Sequence, residues 1–369
     1  MDGLIRAFVW QRRMGVDKQR GTERAADGKS FAWRSDDFQL YGPAAAEADA
    51  VFQAPGFWKD AWIRFRRNKG AVFGLICIIV IVVLSLAGPA LSDYTYYGQI
   101  TQQQNLAPRI PILENLGIFD GTYILHTTTG DVVRNGYLEQ GFEDVYYWFG
   151  SDTLGRDLWT RTWMGARISL YIALVAVLCD MAVGMVYGLL SGYYGGKADL
   201  LLQRFAEIVN SIPSLVIVTL LLIVLAPGLQ TITLALILTG WVGMSRIARA
   251  QMLKLKQQEF VLASRTLGAK PRRIIFHEIL PNSISQLITN TMFSVPSAIF
   301  TEAFLSFVGL GVPAPMCSLG SLISDAYRVF TIYPYQILPP VIVLALLMMS
   351  FNLLGDGLRD ALDPKMKQL

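Results

Sequence analysis

Charged side chains are scarce in this sequence, and the scarcity excludes most classes of soluble protein. Asp, Glu, Lys and Arg make up 16% of the 369 residues, whereas soluble domains contain about 25%. Hydrophobic residues make up 53%. The net charge of +4 is small and no basic stripe interleaved with aromatic residues accompanies it, so binding to nucleic acid is not expected. The composition therefore indicates a protein that lies in a lipid bilayer.

Metal-binding side chains are also few. The three cysteines, Cys77, Cys179 and Cys317, lie far apart, and the first two fall inside apolar runs. Neither a disulfide framework nor a zinc site is therefore expected. The two histidines, His126 and His277, fall in segments that we predict on opposite sides of the membrane. We accordingly predict no metal site.

Motifs of enzymatic chemistry are missing too. Gly196 and Lys197 precede Ala198 instead of a hydroxyl residue, and Ser191 stands where a phosphate loop has its first glycine. No nucleophile with a nearby base stands out. We therefore predict no catalytic residue and no cofactor bound by this chain; if ATP drives it, ATP and magnesium bind to another subunit.

Long apolar runs are what the sequence has instead. A helix that crosses a hydrocarbon core of about 30 Å needs about 20 residues. Six stretches meet this requirement: 70–92, 168–190, 205–226, 229–245, 283–305 and 335–354. Six buried helices of a large soluble protein are the alternative, which the shortage of charge disfavours. We predict an all-α, polytopic membrane protein with six transmembrane helices.

The distribution of Lys and Arg predicts the orientation. These residues concentrate before the first span, between the fourth and fifth spans and after the sixth, so both termini are predicted to be cytoplasmic. The chain then divides into a cytoplasmic segment, a first transmembrane helix, an outer segment, a core of five transmembrane helices and a cytoplasmic tail. The ranges are 1–69, 70–92, 93–163, 164–357 and 358–369, and the core includes a cytoplasmic loop at 251–283.

The outer segment contains two strand-like pieces around 122–125 and 131–133, which predict a hairpin. Acidic residues outnumber basic ones here, and both a docking surface or vestibule and a simple solvated loop fit that composition. Glycines recur at every fourth position from the second span into the turn that follows it, and this spacing predicts close packing of another helix in preference to a ligand site. They are Gly184 and Gly188, followed by Gly192 and Gly196, which we assign to the turn at 191–196 that returns the chain into the third span.

Two acidic residues within the spans are candidates for the translocation path. An ionised carboxylate in hydrocarbon is costly, so Asp180 should face protein or water. It could meet a substrate ammonium there, or it could pair with a residue of a partner helix. Glu302 lies near the outer end of the fifth span, and a local structural role explains it as well.

The loop at 251–283 has a helical pattern from 251 to 267, followed by Gly268, which suits a left-handed helix cap. Pro271 blocks continuation of the helix, and a second short helix fits 272–280, ended by a proline. One side of the first helix carries Phe260, Ala263, Ser264 and Leu267. Such a face either enters a groove of a partner or packs on the protein's own helix ends.

This loop, EFVLASRTLGA at 259–269 with ILPN at 279–282, resembles the signature loop of binding-protein-dependent ABC permeases. In that family the loop forms a coupling helix that docks on the ATPase subunit. The family's glutamate is replaced here by Leu262, so the resemblance carries over the docking role and no specific ion pair. The implied coupling residues are Glu259, Phe260, Ala263, Ser264, Leu267, Gly268 and Ala269.

Further stretches resemble the C-type permease of dipeptide and oligopeptide importers. They are WFGSDTLGRD at 148–157, GYYGG at 192–196, LSFVGLG at 305–311 and NLLGDGLRDALDP at 352–364. The first of these contributes the outer-segment motif residues Gly150, Asp152, Gly155, Arg156 and Asp157. Together the matches cover most of 148–364.

The resemblance implies a type I ABC importer permease fold in the inner membrane. The implied partners are a homologous permease subunit, two ATP-binding subunits and an extracytoplasmic solute-binding protein, with a peptide as substrate. The long outer segment favours oligopeptides. The alternatives are import of nickel or another small solute by the same family, an autonomous secondary transporter, and a non-transporting membrane anchor. A secondary transporter would need an ion-coupling site and internal repeats, which are not evident.

Overall fold

The computed structural model describes residues 57–127, 130–142 and 144–362. The chain divides into two units, Met1–Gly56 and Phe57–Leu369, and all the described residues belong to the second unit. The predicted cytoplasmic segment up to residue 56 and the predicted tail from residue 363 therefore lie outside the described residues. The division of the chain into five parts stays a prediction.

The described residues are mostly helical, which confirms the all-α membrane class. Thr122–Thr127 (β1) and Gly130–Asn135 (β2) pair as an antiparallel hairpin, as predicted. The helix α4 begins at Leu158, ten residues before the predicted span. The helices are α1 (Phe57–Arg67), α2 (Lys69–Ala87), α3 (Gly136–Gln140), α4 (Leu158–Tyr194), α5 (Gly196–Ser211), α6 (Ser214–Leu225), α7 (Leu229–Leu255), α8 (Glu259–Thr266), α9 (Pro271–Leu310), α10 (Leu319–Tyr327) and α11 (Leu338–Leu362).

Five of the described helices are long and apolar enough to cross a membrane: α2 with the turn that follows it, α4, α7, α9 and α11. The predicted third span at 205–226 is wrong as a single helix, because α5 and α6 meet at a bend of 78°. Pro213 causes the bend: proline has no N–H to donate and holds the residue before it, Ile212, in extended backbone. The described residues contain six candidate spans if the bent pair counts as one.

Close packing of α4 on α7, predicted from the glycine repeat, is confirmed. A Cβ atom at Gly184 or Gly188 would overlap the carbonyl oxygen of Trp241 or Ser245 of α7. Gly196 does not take part, because it begins α5 at a φ of +53°. Residue numbers rise together along the contact, so α4 and α7 run parallel and their last turns lie side by side.

This parallel packing defines two ends of the helical bundle. The loop end carries the last turns of α4 and α7 and the helix α8 that follows them. The hairpin end carries the first turn of α4 and the segment 93–157 that precedes it. At the hairpin end, the indole nitrogen of Trp159 donates to the carbonyl of Gly88, over 2.8 Å, and so joins α4 to the end of α2.

Candidate functional site

The loop at 251–283 does not fold as the single helix predicted for 251–267. The helix α7 ends at Leu255, and α8 begins at Glu259 after a turn that contains neither glycine nor proline. Tertiary contacts turn the chain here. The ammonium of Lys256 donates to the carbonyl of Gly192 over 2.8 Å, and Val261 is fully buried.

The face predicted for this helix is exposed. Phe260 is 40% exposed and Leu267 is 88% exposed, while Ala263 is exposed and Ser264 is half-buried. Leu262, 46% exposed, lies on the other flank of α8, because positions two residues apart do not share a helix face. Within the part of the chain that the structure describes, this surface is not buried against the helix ends and is available to a partner.

Val261 holds α8 in place, and the sequence reasoning missed it. Its side chain lies in a buried cluster with Met252 of α7, Leu189 of α4 and Ile274 and Ile279 of α9. Ala269 packs against the same cluster. The isoleucines at 274, 275 and 279 could have indicated the role of Val261, because they need an apolar residue of the loop to cover them. The helix α8 is therefore anchored by its inner side and exposes its outer side.

Gly268 ends α8 in the left-handed conformation, as predicted, with a φ of +81°. Its N–H donates to the carbonyl of Arg265, and the N–H of Ala269 donates to that of Ser264, both over 3.0 Å. The predicted separate helix at 272–280 is wrong. Pro271 begins α9, which continues past Pro281 because a π-helical stretch at Ile274–Ile279 changes the hydrogen-bond pattern before the second proline.

A second cluster at the loop end ties the turn between α4 and α5 to α7. Asp199 of α5 accepts two hydrogen bonds from Arg249 of α7, over 2.6 and 2.7 Å. Ser191 donates to the same carboxylate. The guanidinium of Arg265, in α8, lies 5.8 Å from the centre of the Tyr193 ring. Through Arg265, α8 thus contacts the end of α4, next to the turn that leads into α5.

A cavity of about 480 Å³ lies between α4, α6, α7 and α9, and Asp180 lines it. The carboxylate of Asp180 lies directly over Gly240 of α7, where even a Cβ atom would overlap it. Ser214, the first residue of α6, also lines the cavity. The bend at Pro213, which joins α5 to α6, therefore lies beside the cavity.

Glu302 is not among the residues that line this cavity. It is fully buried, and its carboxyl group accepts hydrogen bonds from Ser169 over 2.7 Å and from Ser306 over 2.8 Å. Ser318, which caps α10, contacts Ser306 in turn over 3.0 Å. The structure thus separates the two predicted path residues: Asp180 faces the cavity and Glu302 joins α4, α9 and the start of α10.

The outer-segment motif forms a buried junction at the hairpin end. Gly150 and Gly155 have φ values of +83° and +70°, and a Cβ atom at either would overlap the backbone of the preceding segment. Arg156 donates to Asp152 over 2.6 Å, with both side chains buried. Asp157 caps α4 by accepting from the N–H of Thr160 over 3.0 Å. Burial raises the pKa of the Asp157 carboxyl, against the lowering effect of its hydrogen bonds with Thr160.

The same junction contacts α10. Arg156 and Arg161 lie 3.7 and 4.0 Å from the half-exposed carboxylate of Asp325, and Arg161 also lies 3.5 Å from Asp152. The resemblance located these motif residues ahead of the second span but could not show the contact with α10, which is distant in sequence.

Known proteins resemble this chain over most of its length. The family model described as "Binding-protein-dependent transport system inner membrane component" matches residues 184–368. A second model, "N-terminal TM domain of oligopeptide transport permease C", matches residues 56–108.

Individual relatives cover more of the chain. The oligopeptide transport system permease protein OppC of Bacillus subtilis (strain 168) is 41% identical over 89% of this chain and 98% of its own length. The dipeptide transport system permease protein DppC of the same organism is 40% identical, over 87% and 90%. OppC of Escherichia coli (strain K12) is 35% identical, over 84% and 91%. A structure of the MetNI methionine ABC transporter in inward-facing conformations has a TM-score of 0.47 and 18% identity, and covers 54% of this chain and 94% of the other. The chain belongs to the family of inner-membrane components of binding-protein-dependent transport systems.

Proposed function

We propose that this chain forms one half of the translocation path of an ATP-driven peptide importer. Family membership makes it a membrane component of a transport system that uses a binding protein. Relatives at 41% and 40% identity are named as oligopeptide and dipeptide permeases. The match of residues 56–108 to an oligopeptide permease model supports a peptide over nickel as the substrate.

The observation that carries the proposal is the exposed apolar surface of α8. Phe260, Leu262 and Leu267 are exposed while Val261 fixes the helix to the bundle. Burying one such side chain fully against a partner stabilises the contact by about 1.5–3 kcal/mol. We assign this surface to docking in a groove of an ATP-binding subunit, with Glu259, Gly268 and Ala269 completing the helix and its cap.

The polar face of α9 supports a second permease subunit. Asn282, Gln286 and Ser297 are exposed on this helix, and polar side chains of transmembrane helices rarely face lipid. We propose that a homologous permease covers this face and closes the cavity around the substrate. With two ATP-binding subunits and an extracytoplasmic binding protein, this completes the importer.

The proposed orientation places the loop end and both termini in the cytoplasm. The helix α1 ends in Arg64, Arg66 and Arg67 immediately before α2, and the loop end also carries Arg265 and Lys270. Cationic residues flank the cytoplasmic ends of spans. The junction around Asp152 then faces outward, where a binding protein delivers its substrate.

The geometry suggests how ATP would act on the cavity. Closure of the ATP-binding subunits displaces α8, and the contacts of Lys256 and Arg249 carry that displacement to the turn between α4 and α5. The helix α5 transmits it as a lever to the bend at Pro213, beside the cavity. The chain itself binds no ATP in this scheme, and its role is to convert movement of α8 into opening on one side of the membrane.

The test is uptake of a labelled tripeptide by vesicles that contain the four kinds of subunit with this chain as one permease. We expect uptake that requires ATP, the binding protein and both permeases. Uptake of nickel but not of peptide would contradict the proposed substrate. Peptide uptake by this chain alone, without ATP-binding subunits, would contradict the proposed mechanism.

A further inference from the structure

We propose that Asp180 is a subsite for the α-ammonium group of the peptide in transit, so that this permease itself favours peptides with a free amino terminus. The inference rests on the proposed function and adds a recognition step within the membrane. It concerns the cavity between α4, α6, α7 and α9.

The carboxylate of Asp180 is placed to receive a cation. Among the described residues, none makes a hydrogen bond to its Oδ1 atom, which is shielded from solvent. Of the described residues that line the cavity, Asp180 is the one that carries a charge. Gly240 leaves room for the carboxylate where any side chain would displace it. A carboxylate that is neither paired nor hydrogen-bonded in such a place is costly, and a mobile positive ligand offsets that cost.

Most of the remaining polar lining offers hydrogen-bond acceptors. Four of its hydroxyl groups and one N–H of the Asn290 amide each donate to a backbone carbonyl of their own helix, over 2.7 Å for Asn290 and up to 3.4 Å for Ser297. A hydroxyl has a single hydrogen to donate but two acceptor positions, so these oxygens remain free to accept. The cavity therefore matches the N–H groups of an ammonium and of peptide amides. The residues are Thr239, Asn290, Ser294, Ser297 and Thr301.

The size and composition of the site favour an ammonium over a metal ion. A volume of about 480 Å³ lies within the range of pockets that hold organic ligands of several hundred daltons. Within the described residues, no group of three or more His, Cys, Asp or Glu side chains could hold a metal ion. A single carboxylate among hydroxyl groups binds an ammonium weakly, and weak binding suits a ligand that must also leave.

The experiment compares uptake of one tripeptide with a free or an acetylated amino terminus by the reconstituted complex, with Asp180→Asn, Asp180→Glu and wild type. Selectivity of the binding protein is the same in every case, so it cancels when the free-to-acetylated ratio of a variant is divided by that of wild type. We expect Asp180→Asn to lower this ratio about three- to tenfold, the effect of losing one partly solvated charge-assisted hydrogen bond. Asp180→Glu, which keeps the carboxylate, should keep the ratio within about twofold of wild type, as should Thr219→Ala, which removes a hydroxyl group of α6 that does not line the cavity.

An unchanged ratio in Asp180→Asn, with uptake preserved, would overturn the inference. An equal loss of both peptides would also overturn it. An equal loss together with loss of the second permease during purification would indicate that the Asp180 carboxylate pairs with a cation of that permease. An equal loss in an intact complex would indicate that Asp180 serves the path without selecting the amino terminus. The wild-type complex separates this claim from the proposed function, because failure to import either peptide contradicts that function itself.

Discussion

Replacing Gly268 tests the cap that ends α8. Gly268 has a φ of +81°, and a Cβ atom built there would have no atom within 4 Å. The substitution Gly268→Val therefore costs backbone strain alone, about 1–2 kcal/mol for a residue with a Cβ atom in the left-handed region. Full burial of one valine, such as Val261, contributes about 1.5–3 kcal/mol. The strain is thus comparable to what anchors α8, and relaxation would tilt or fray the docking helix.

We expect the variant to insert in the membrane and to pair with its permease partner, because the spans are untouched. A change of 1–2 kcal/mol corresponds to a factor of about 5–30 in the population of correctly placed α8. Peptide-stimulated ATP hydrolysis and peptide uptake should fall together by about that factor, or the ATP-binding subunits should be lost on purification. The assay measures both rates and the subunit ratio of the purified complex.

Gly117 supplies the matched control. It ends the three-residue 3₁₀ helix Glu114–Leu116, with a φ of +70° and no atom within 4 Å of a Cβ built there, but it lies in the segment that precedes α4. Gly117→Val introduces the same strain far from α8 and should leave coupling unchanged. Normal transport by Gly268→Val with a full complement of ATP-binding subunits would refute the reasoning, as would an equal loss of coupling in both variants.

Two further predictions concern transmission and orientation. Asp199→Asn removes the ion pair with Arg249, and we expect peptide uptake to fall about fivefold, the equivalent of about 1 kcal/mol for a partly exposed pair. The double variant Asp199→Arg with Arg249→Asp restores an ion pair and should recover part of the lost uptake. No recovery would indicate that the pair only stabilises the fold. In a cysteine-free background, Gln257→Cys should react with a membrane-impermeant reagent only in opened cells, whereas Asn115→Cys should react in intact cells. The opposite labelling pattern would reverse the proposed orientation.

The length of an apolar run and the spacing of its glycines predicted a span well where no distant contact or proline changes the helix. An uninterrupted apolar run such as that in α2 leaves no alternative to a helix in lipid, and the glycine repeat predicts close packing of another helix, which the structure identifies as α7. The third span shows the limit of counting apolar residues. Pro213 interrupts a run that is apolar on both sides, so hydropathy remained high across a bend of 78°.

The loop at 251–283 shows why part of the site was not predictable. The exposed face of α8 and the cap at Gly268 follow from local spacing. The break after Leu255 does not, because it depends on Lys256 reaching Gly192, more than sixty residues earlier, and on burial of Val261 under α9. The placement of Glu302 away from the cavity likewise depends on Ser169, a residue of another helix.

The most direct measurement of the central claim is photo-crosslinking from Leu267, which is 88% exposed at the loop end. A photoreactive amino acid at this position in the assembled importer should form an adduct with an ATP-binding subunit. The same amino acid at Leu116, 70% exposed in the segment before α4, should form none with that subunit. An adduct from Leu116, or no adduct from Leu267 in a complex that transports peptide, would contradict the assignment of α8 as the coupling element.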